Sequence, residues 1–100
     1  MLKKQLIFRE QEREGDYLFE NVSAFLTADF FRKFGDEALE LVGISLCTIL
    51  GLYENPDYLQ VFFYGGVEYY VISDFRKGER LEDYENLDEF YVTFLLAEEY

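Results

Sequence analysis

Histidine is absent from this 100-residue sequence, and cysteine occurs once. Without histidine the chain lacks the commonest general base of neutral pH, and it can form neither a Ser-His nor a Cys-His nucleophile pair. Zinc sites need several cysteine or histidine ligands, which one cysteine cannot supply. The sequence also lacks a glycine-rich phosphate loop followed by Lys-Ser or Lys-Thr. We therefore expect neither an enzyme nor a bound cofactor.

Long apolar runs are also missing. The longest apolar stretch, residues 38–52, includes Glu40 and two glycines, and it is shorter than the ~18 to 20 apolar residues that cross a bilayer. No apolar run of signal-peptide length follows Lys3 and Lys4. Cys47 cannot form an intramolecular disulfide, and its apolar neighbours predict a small buried side chain. We expect a soluble, cytoplasmic protein whose residues 1–100 form one domain.

Basic residues are few, since nine Lys and Arg face 21 Asp and Glu, and the net charge is −12. Half the residues are apolar and 20% are Phe or Tyr, so the chain is too hydrophobic for a disordered acidic tail. Residues 54–100 hold twelve acidic and three basic side chains. This acidity argues against binding to nucleic acid or anionic membranes and favours a basic protein partner. Alternatively, the charge serves only solubility.

The segment "YLQVFFYGGVEYYVIS", residues 58–73, predicts a β-hairpin, because two strand-like runs flank Gly65 and Gly66. Neither face of this hairpin is polar, whereas a hairpin with one solvated face alternates apolar and polar residues. Either both faces are covered within the monomer, or one aromatic face contacts a partner or a second copy in a homodimer. One predicted face carries Leu59, Val61, Phe63, Glu68, Tyr70 and Ile72, and the other carries Gln60, Phe62, Tyr64, Val67, Tyr69 and Val71.

The first half of the chain predicts two strands and two helices. The runs "KQLIFRE" and "DYLFENV" are typical of strands joined by a loop. After Thr27, "ADFFRKF" has the apolar spacing of a helix that Gly35 stops. Asp36 can then cap a second helix, "DEALELVGISLCTILG", which ends near Gly51. A strand through "LVGISLCTIL" is the alternative for residues 38–50.

An apolar stripe of helical spacing predicts a last helix, which ends near Glu98. Asn86 can cap its first turn, and Glu89 completes a pattern like a capping box. The predicted fold is therefore α+β, one small domain of approximate order ββαββα. Its antiparallel sheet has the Gly-Gly hairpin at the centre and helices packed on one face. The stripe consists of Leu87, Phe90, Tyr91, Phe94 and Leu95.

The stretch "ERLEDYENLDEF", residues 79–90, concentrates six carboxylates against one arginine. Asp83, Glu85, Asp88 and Glu89 could supply oxygens to calcium or magnesium, but their spacing does not match a calcium loop and the turn glycine is missing. Two carboxylates could also support glycoside hydrolysis, but a chain this short leaves little room for a deep cleft. We expect no metal site.

The remaining carboxylates of this stretch predict a negative surface with interleaved tyrosines. Carboxylates on such a surface can occupy the phosphate positions of a basic nucleic-acid-binding groove. The leading hypothesis is a small acidic inhibitor of a nuclease or another nucleic-acid-binding protein, of the phage anti-restriction, anti-CRISPR or toxin-immunity type. The alternative is a homo-oligomeric or accessory subunit that uses the aromatic sheet face. The predicted partner-binding residues are Tyr69, Tyr70, Asp74, Glu79, Glu82, Asp83, Tyr84 and Glu85.

Overall fold

The computed structural model describes residues 2–77 and 90–100. Together they form a five-stranded sheet with two helices packed on one of its faces. This architecture confirms the predicted α+β class, although a fifth strand replaces the last helix. The elements are β1 (Leu6–Arg9), β2 (Ser23–Leu26), α1 (Ala28–Phe34), α2 (Ala38–Leu52), β3 (Leu59–Tyr64), β4 (Val67–Ser73) and β5 (Tyr91–Leu96), with 3₁₀ turns at Gly35–Glu37 and Ala97–Glu99.

The strand order is β1-β3-β4-β5-β2, so the two N-terminal strands lie at opposite edges of the sheet. The predicted strand in "KQLIFRE" is confirmed as β1, which pairs antiparallel with β3. The predicted strand in "DYLFENV" is wrong, because Tyr17 forms only an isolated bridge with Arg76 and β2 begins at Ser23. Strand β2 pairs with β5 in parallel, and the other three pairings are antiparallel.

The Gly-Gly hairpin is confirmed. Tyr64 pairs with Val67 across the turn, and Gly65 and Gly66 have φ values of 57° and 82°. Positive φ at both central residues is the geometry that favours glycine in a two-residue hairpin turn. The register also confirms the predicted division of the hairpin into two faces, since Phe62 lies opposite Tyr69 and Val61 opposite Tyr70.

Both N-terminal helices form as predicted. The Thr27 side chain accepts a hydrogen bond from the Phe30 N–H at 3.1 Å and so caps α1. Gly35, at φ 55°, ends α1 and is the first residue of the 3₁₀ turn that leads to α2. Residues 38–50 are helical, so the strand alternative is wrong. The prediction that Asp36 caps the second helix is also wrong, because the residue before α2 is Glu37, which makes no side-chain capping bond.

The predicted C-terminal helix is wrong where the structure describes it, because residues 91–96 form β5. Val92, Phe94 and Leu96 alternate into the core, a period-two pattern that the helical stripe had obscured. Val92 and Thr93 are β-branched and favour extended backbone. Strands β4 and β2 pair with the two edges of β5. The predicted cap at Asn86 and Glu89 lies outside the described residues.

Aromatic rings join the helices to the sheet. The Phe30 ring packs edge-on against Tyr69 and Phe94, with centroids 5.2 Å and 5.6 Å away. The Phe62 ring stacks on Tyr69 at 5.3 Å. The Tyr69 hydroxyl lies 2.6 Å from the Ser45 hydroxyl of α2, so the most polar group of this cluster has a partner. These contacts place Tyr69 at the centre of the core.

Candidate functional site

The structure separates the predicted partner-binding residues. Tyr69 is fully buried, so its predicted place on a binding surface is wrong. Burial also raises the pKa of Tyr69, which keeps its hydroxyl protonated. Tyr70 is half-buried on the sheet face that turns away from the helices, and Asp74 is exposed just after β4. The other five residues lie outside the described part of the chain: Glu79, Glu82, Asp83, Tyr84 and Glu85.

A polar loop, residues 10–17, is held at the end of the sheet where β1 ends and β3 begins. The N–H groups of Gly15 and Tyr17 donate to the carbonyls of Asn55 and Pro56, each at 3.1 Å. An added Cβ on Gly15 would lie 2.8 Å from the Pro56 carbonyl oxygen, so this close approach requires glycine. The loop is therefore fixed against the turn that precedes β3.

The same loop contacts the segment that follows β4. The Leu18 N–H donates to the Phe75 carbonyl at 2.7 Å, and the Lys77 N–H donates to the Asp16 carbonyl at 2.8 Å. Across the sheet, the Ser23 N–H donates to the Phe90 carbonyl at 2.9 Å. Lys77 and Phe90, which border residues 78–89 on either side, thus both lie at this end of the sheet.

Carboxylates gather at this end. Glu10, Glu12, Glu14 and Asp16 alternate along the loop and are exposed, and Asp74 is exposed nearby. We call these five residues the acidic end. Glu10, Glu12 and Glu14 form no salt bridge with a basic side chain of the described residues. Their charge is therefore available to a partner.

Two basic side chains at the same end, Arg13 and Arg76, are engaged with carboxylates, and the Lys77 ammonium donates to the Glu54 carbonyl at 2.6 Å. Arg13 donates to Asp57 at 3.2 Å, and this hydrogen bond raises the pKa of Arg13. The Arg76 guanidinium lies 3.7 Å from the Asp16 carboxylate and 5.2 Å from the centre of the Tyr17 ring. Arg13, Arg76 and Asp16 are exposed, so these pairs contribute little to stability. They do, however, reduce the positive charge that the acidic end presents.

Two tyrosines lie between the charged groups. The rings of Tyr17 and Tyr58 are 5.9 Å apart, and they line a cavity of about 520 Å³ together with Arg13, Asp16 and Arg76. Tyrosine supplies contact area and a hydroxyl at a low cost in entropy, which suits a protein-binding surface. The sequence prediction missed the loop acids and both tyrosines. The alternation of carboxylates in "EQEREGD", residues 10–16, could have identified the loop acids from the sequence.

The sheet face opposite the helices is largely apolar, and we call it the second face. Its central residues are half-buried or buried, but Ile7 and Phe25 near its edges are 50% and 59% exposed. Tyr100 packs against this face, with its ring 5.3 Å from Tyr70. The residues of the second face are Ile7, Arg9, Ser23, Phe25, Leu59, Val61, Phe63, Glu68, Tyr70, Ile72, Tyr91, Thr93 and Leu95.

The outer side of α2 is also apolar. Leu39 is 70% exposed, and Ile44 and Leu50 are partly exposed. Cys47 is exposed as well, so the prediction of a buried cysteine is wrong. Because α2 is apolar on all its sides, Cys47 is not needed to fill the core. Ala38, Leu41 and Ile49 are the buried apolar residues on the inner side of the helix.

Among the described residues, no group of three or more Asp, Glu, Cys or His side chains is arranged to hold a metal ion. The carboxylates Asp83, Glu85, Asp88 and Glu89 lie outside those residues. No helix in the described ranges has both the length and the apolar character needed to span a membrane. Comparison with protein-family models, curated proteins and solved structures finds no match to this chain.

Proposed function

We propose that this protein is a non-catalytic acidic inhibitor, which occupies the basic groove of a nuclease or another nucleic-acid-handling protein. The observation that supports this proposal most directly is the acidic end. Glu10, Glu12 and Glu14 are exposed there without a basic partner among the described residues. Lys77 and Phe90 join the same end to residues 78–89, which hold six further carboxylates.

The chemistry of recognition follows from the partner's own side chains. A groove that binds phosphates is lined with Lys and Arg, and these groups form equally charge-assisted hydrogen bonds with carboxylates. Concentrated negative charge also accelerates the encounter with a positive groove. Tyr17 and Tyr58 would add apolar contact between the charged pairs. These features would suit an inhibitor of the anti-restriction, anti-CRISPR or toxin-immunity class.

Affinity capture with paired charge variants tests the proposal. The variant Glu12→Lys with Glu14→Lys reverses two carboxylates of the acidic end. Its control, Asp36→Lys with Glu98→Lys, reverses two exposed carboxylates that lie within the two 3₁₀ turns. From a lysate at low salt, we expect the natural chain and the control to retain one basic nucleic-acid-binding protein, which salt or added DNA releases.

The variant in the acidic end should lose that protein. Equal retention by both double variants would contradict the proposed role of the acidic end, provided that their melting temperatures match. Retention that resists both salt and nucleic acid would contradict mimicry.

A second candidate function rests on the second face. Here the chain would be a homo-oligomer or an accessory subunit, with its acidity serving solubility. The supporting observation is that the described helices cover the opposite face of the sheet, while Ile7 and Phe25 stay exposed. Exposed apolar patches of this kind often mark contacts with another protein.

Sedimentation measurements separate the two candidates. Ile7 and Phe63 lie opposite each other in the β1–β3 register, on the second face. If the second face forms an oligomer, Ile7→Thr with Phe63→Thr should reduce the mass in solution. If the natural chain is monomeric at micromolar concentration and retains its partner after these changes, the second candidate is wrong.

A further inference from the structure

Among the residues that the structure describes, main-chain groups on the outer edge of β2 are left without a strand partner. In its parallel pairing with β5, the Ser23 N–H donates to Phe90 and the Thr27 N–H donates to Phe94, at 2.9 Å and 3.0 Å. Backbone groups of alternate residues point to opposite edges of a strand, so Ala24 directs its N–H and C=O away from β5. No strand in the described ranges pairs with that edge. A second strand could therefore use these groups.

The two edges of the sheet differ in how they are protected. Strand β1 contains Arg9 and follows Lys3 and Lys4, and basic side chains at an edge discourage the pairing of another strand. Strand β2, "SAFL", contains no charged residue and no proline. Its Phe25 is 59% exposed. The β2 edge thus lacks the charge that protects the β1 edge.

An apolar recess accompanies this edge on the second face. The rings of Phe25 and Tyr91 lie 6.4 Å apart, and the recess beside them has a volume of about 420 Å³. In strand addition, main-chain hydrogen bonds supply affinity and such recesses select alternate side chains. An apolar side chain on an added strand would fit beside Phe25. The lining residues are Ser23, Ala24, Phe25, Tyr91 and Thr93.

Charge near β2 favours a foreign segment over a second copy. Residues 18–31 contain Glu20 and Asp29 but no Lys or Arg. A second copy of the chain would bring its own net charge of −12 to this edge, and like charges repel. A segment with an apolar centre and basic flanks would instead complement Glu20 and the negative charge of the chain as a whole, whereas the Asp29 carboxylate is already paired with Arg32.

We propose that β2 is a strand-addition site, which binds an extended segment of a partner protein with an apolar centre and Lys or Arg at its flanks. Main-chain hydrogen bonds to Ala24 hold the segment, and Phe25 and Tyr91 receive one of its apolar side chains. This inference goes beyond the proposed function, because it concerns the β2 edge and requires none of the carboxylates of the acidic end.

A synthetic peptide, Lys-Lys-Thr-Val-Thr-Phe-Thr-Lys-Lys, tests the proposal by NMR titration of the natural chain. We expect localised shifts at Ala24, Phe25 and Leu26 and slower hydrogen exchange of the Ala24 amide. The same peptide, N-methylated at alternate residues that face β2, should bind about tenfold more weakly, because its donors are removed. Equal binding of the two peptides, or shifts confined to β1 or the acidic end, would overturn the proposal.

Variants at one position supply the complementary test. Ala24→Pro removes the outward N–H while leaving the bonds of Ser23 and Thr27 to β5, and edge strands tolerate proline in this orientation. Ala24→Ser keeps the N–H and is the matched control. We expect about tenfold weaker peptide binding by Ala24→Pro alone. A doubled mass of the peptide-free chain that Ala24→Pro abolishes would assign the edge to a second copy and overturn the proposal.

If Ala24→Pro fails to fold, the comparison of the methylated and unmethylated peptides on the natural chain decides the matter.

Discussion

At the scale of single residues, one pair of hydroxyls joins α2 to the sheet. The Tyr69 and Ser45 hydroxyls lie 2.6 Å apart, and both residues are buried. Tyr69→Phe would leave the Ser45 hydroxyl without this partner. We therefore expect the free energy of unfolding to fall by about 1–3 kcal/mol, measured by denaturant titration.

The double variant Tyr69→Phe with Ser45→Ala is the control for this prediction. It removes both hydroxyls, so no polar group of the pair stays buried and unpaired, and its loss of stability should be smaller than that of Tyr69→Phe alone. A double variant that is less stable than the single one would contradict the account.

A second contact of single residues ties the N-terminus to the hairpin and makes stability depend on pH. The Tyr64 hydroxyl donates to the Glu37 carboxylate, and the Lys3 N–H donates to it at 3.0 Å. These two bonds lower the pKa of Glu37. Because the folded pKa is lowered, the stabilisation is present above the usual glutamate pKa of about 4.3 and is lost as pH falls through the folded value.

The variant Glu37→Gln tests this dependence. It should melt below the natural chain near pH 7, and the two melting temperatures should converge as pH falls below about 4. Thermal unfolding followed by circular dichroism measures both. A difference that stays constant from neutral to acid pH would show that the Glu37 charge contributes nothing.

At the scale of elements, the hairpin turn depends on backbone conformation alone. An added Cβ at Gly66 would meet no heavy atom within 4 Å, but φ is 82° there. Gly66→Ala should therefore lower the free energy of unfolding by about 1–2 kcal/mol through strain. Gly66→Asn should cost less, since asparagine tolerates positive φ. Denaturant titrations in which Ala and Asn are equally tolerated would contradict this explanation.

Elements with local signals could be predicted from the sequence. The Gly65-Gly66 turn and the Gly35 stop of α1 each specify their conformation within a few residues. The segment that became β5 shows why other elements could not. Phe94 belongs to a helical stripe with Tyr91 and equally to a strand alternation with Val92, and only the pairing with β4 and β2 decides between them.

At the scale of the whole molecule, the strand order could not be predicted from the sequence. Strand β2 pairs with β5, which lies 68 residues further along the chain in the register Ser23 to Tyr91. Hydrophobic patterns identify strands but carry little information on which strands pair with each other. The negative charge of the candidate site could be predicted from the sequence, but its position on the fold could not. The loop acids share one end of the sheet with Asp74 only because residues 10–17 fold onto Asn55 and Pro56.

The central claim is that the acidic end attracts a basic partner, and the association rate constant tests it most directly. Stopped-flow mixing with the captured protein, from low to physiological salt, would compare the natural chain with the two double charge variants. We predict a rate that falls steeply with salt, and a rate at low salt about tenfold lower for Glu12→Lys with Glu14→Lys than for Asp36→Lys with Glu98→Lys. A salt-independent rate for the natural chain, or equal rates for the two variants, would contradict the claim.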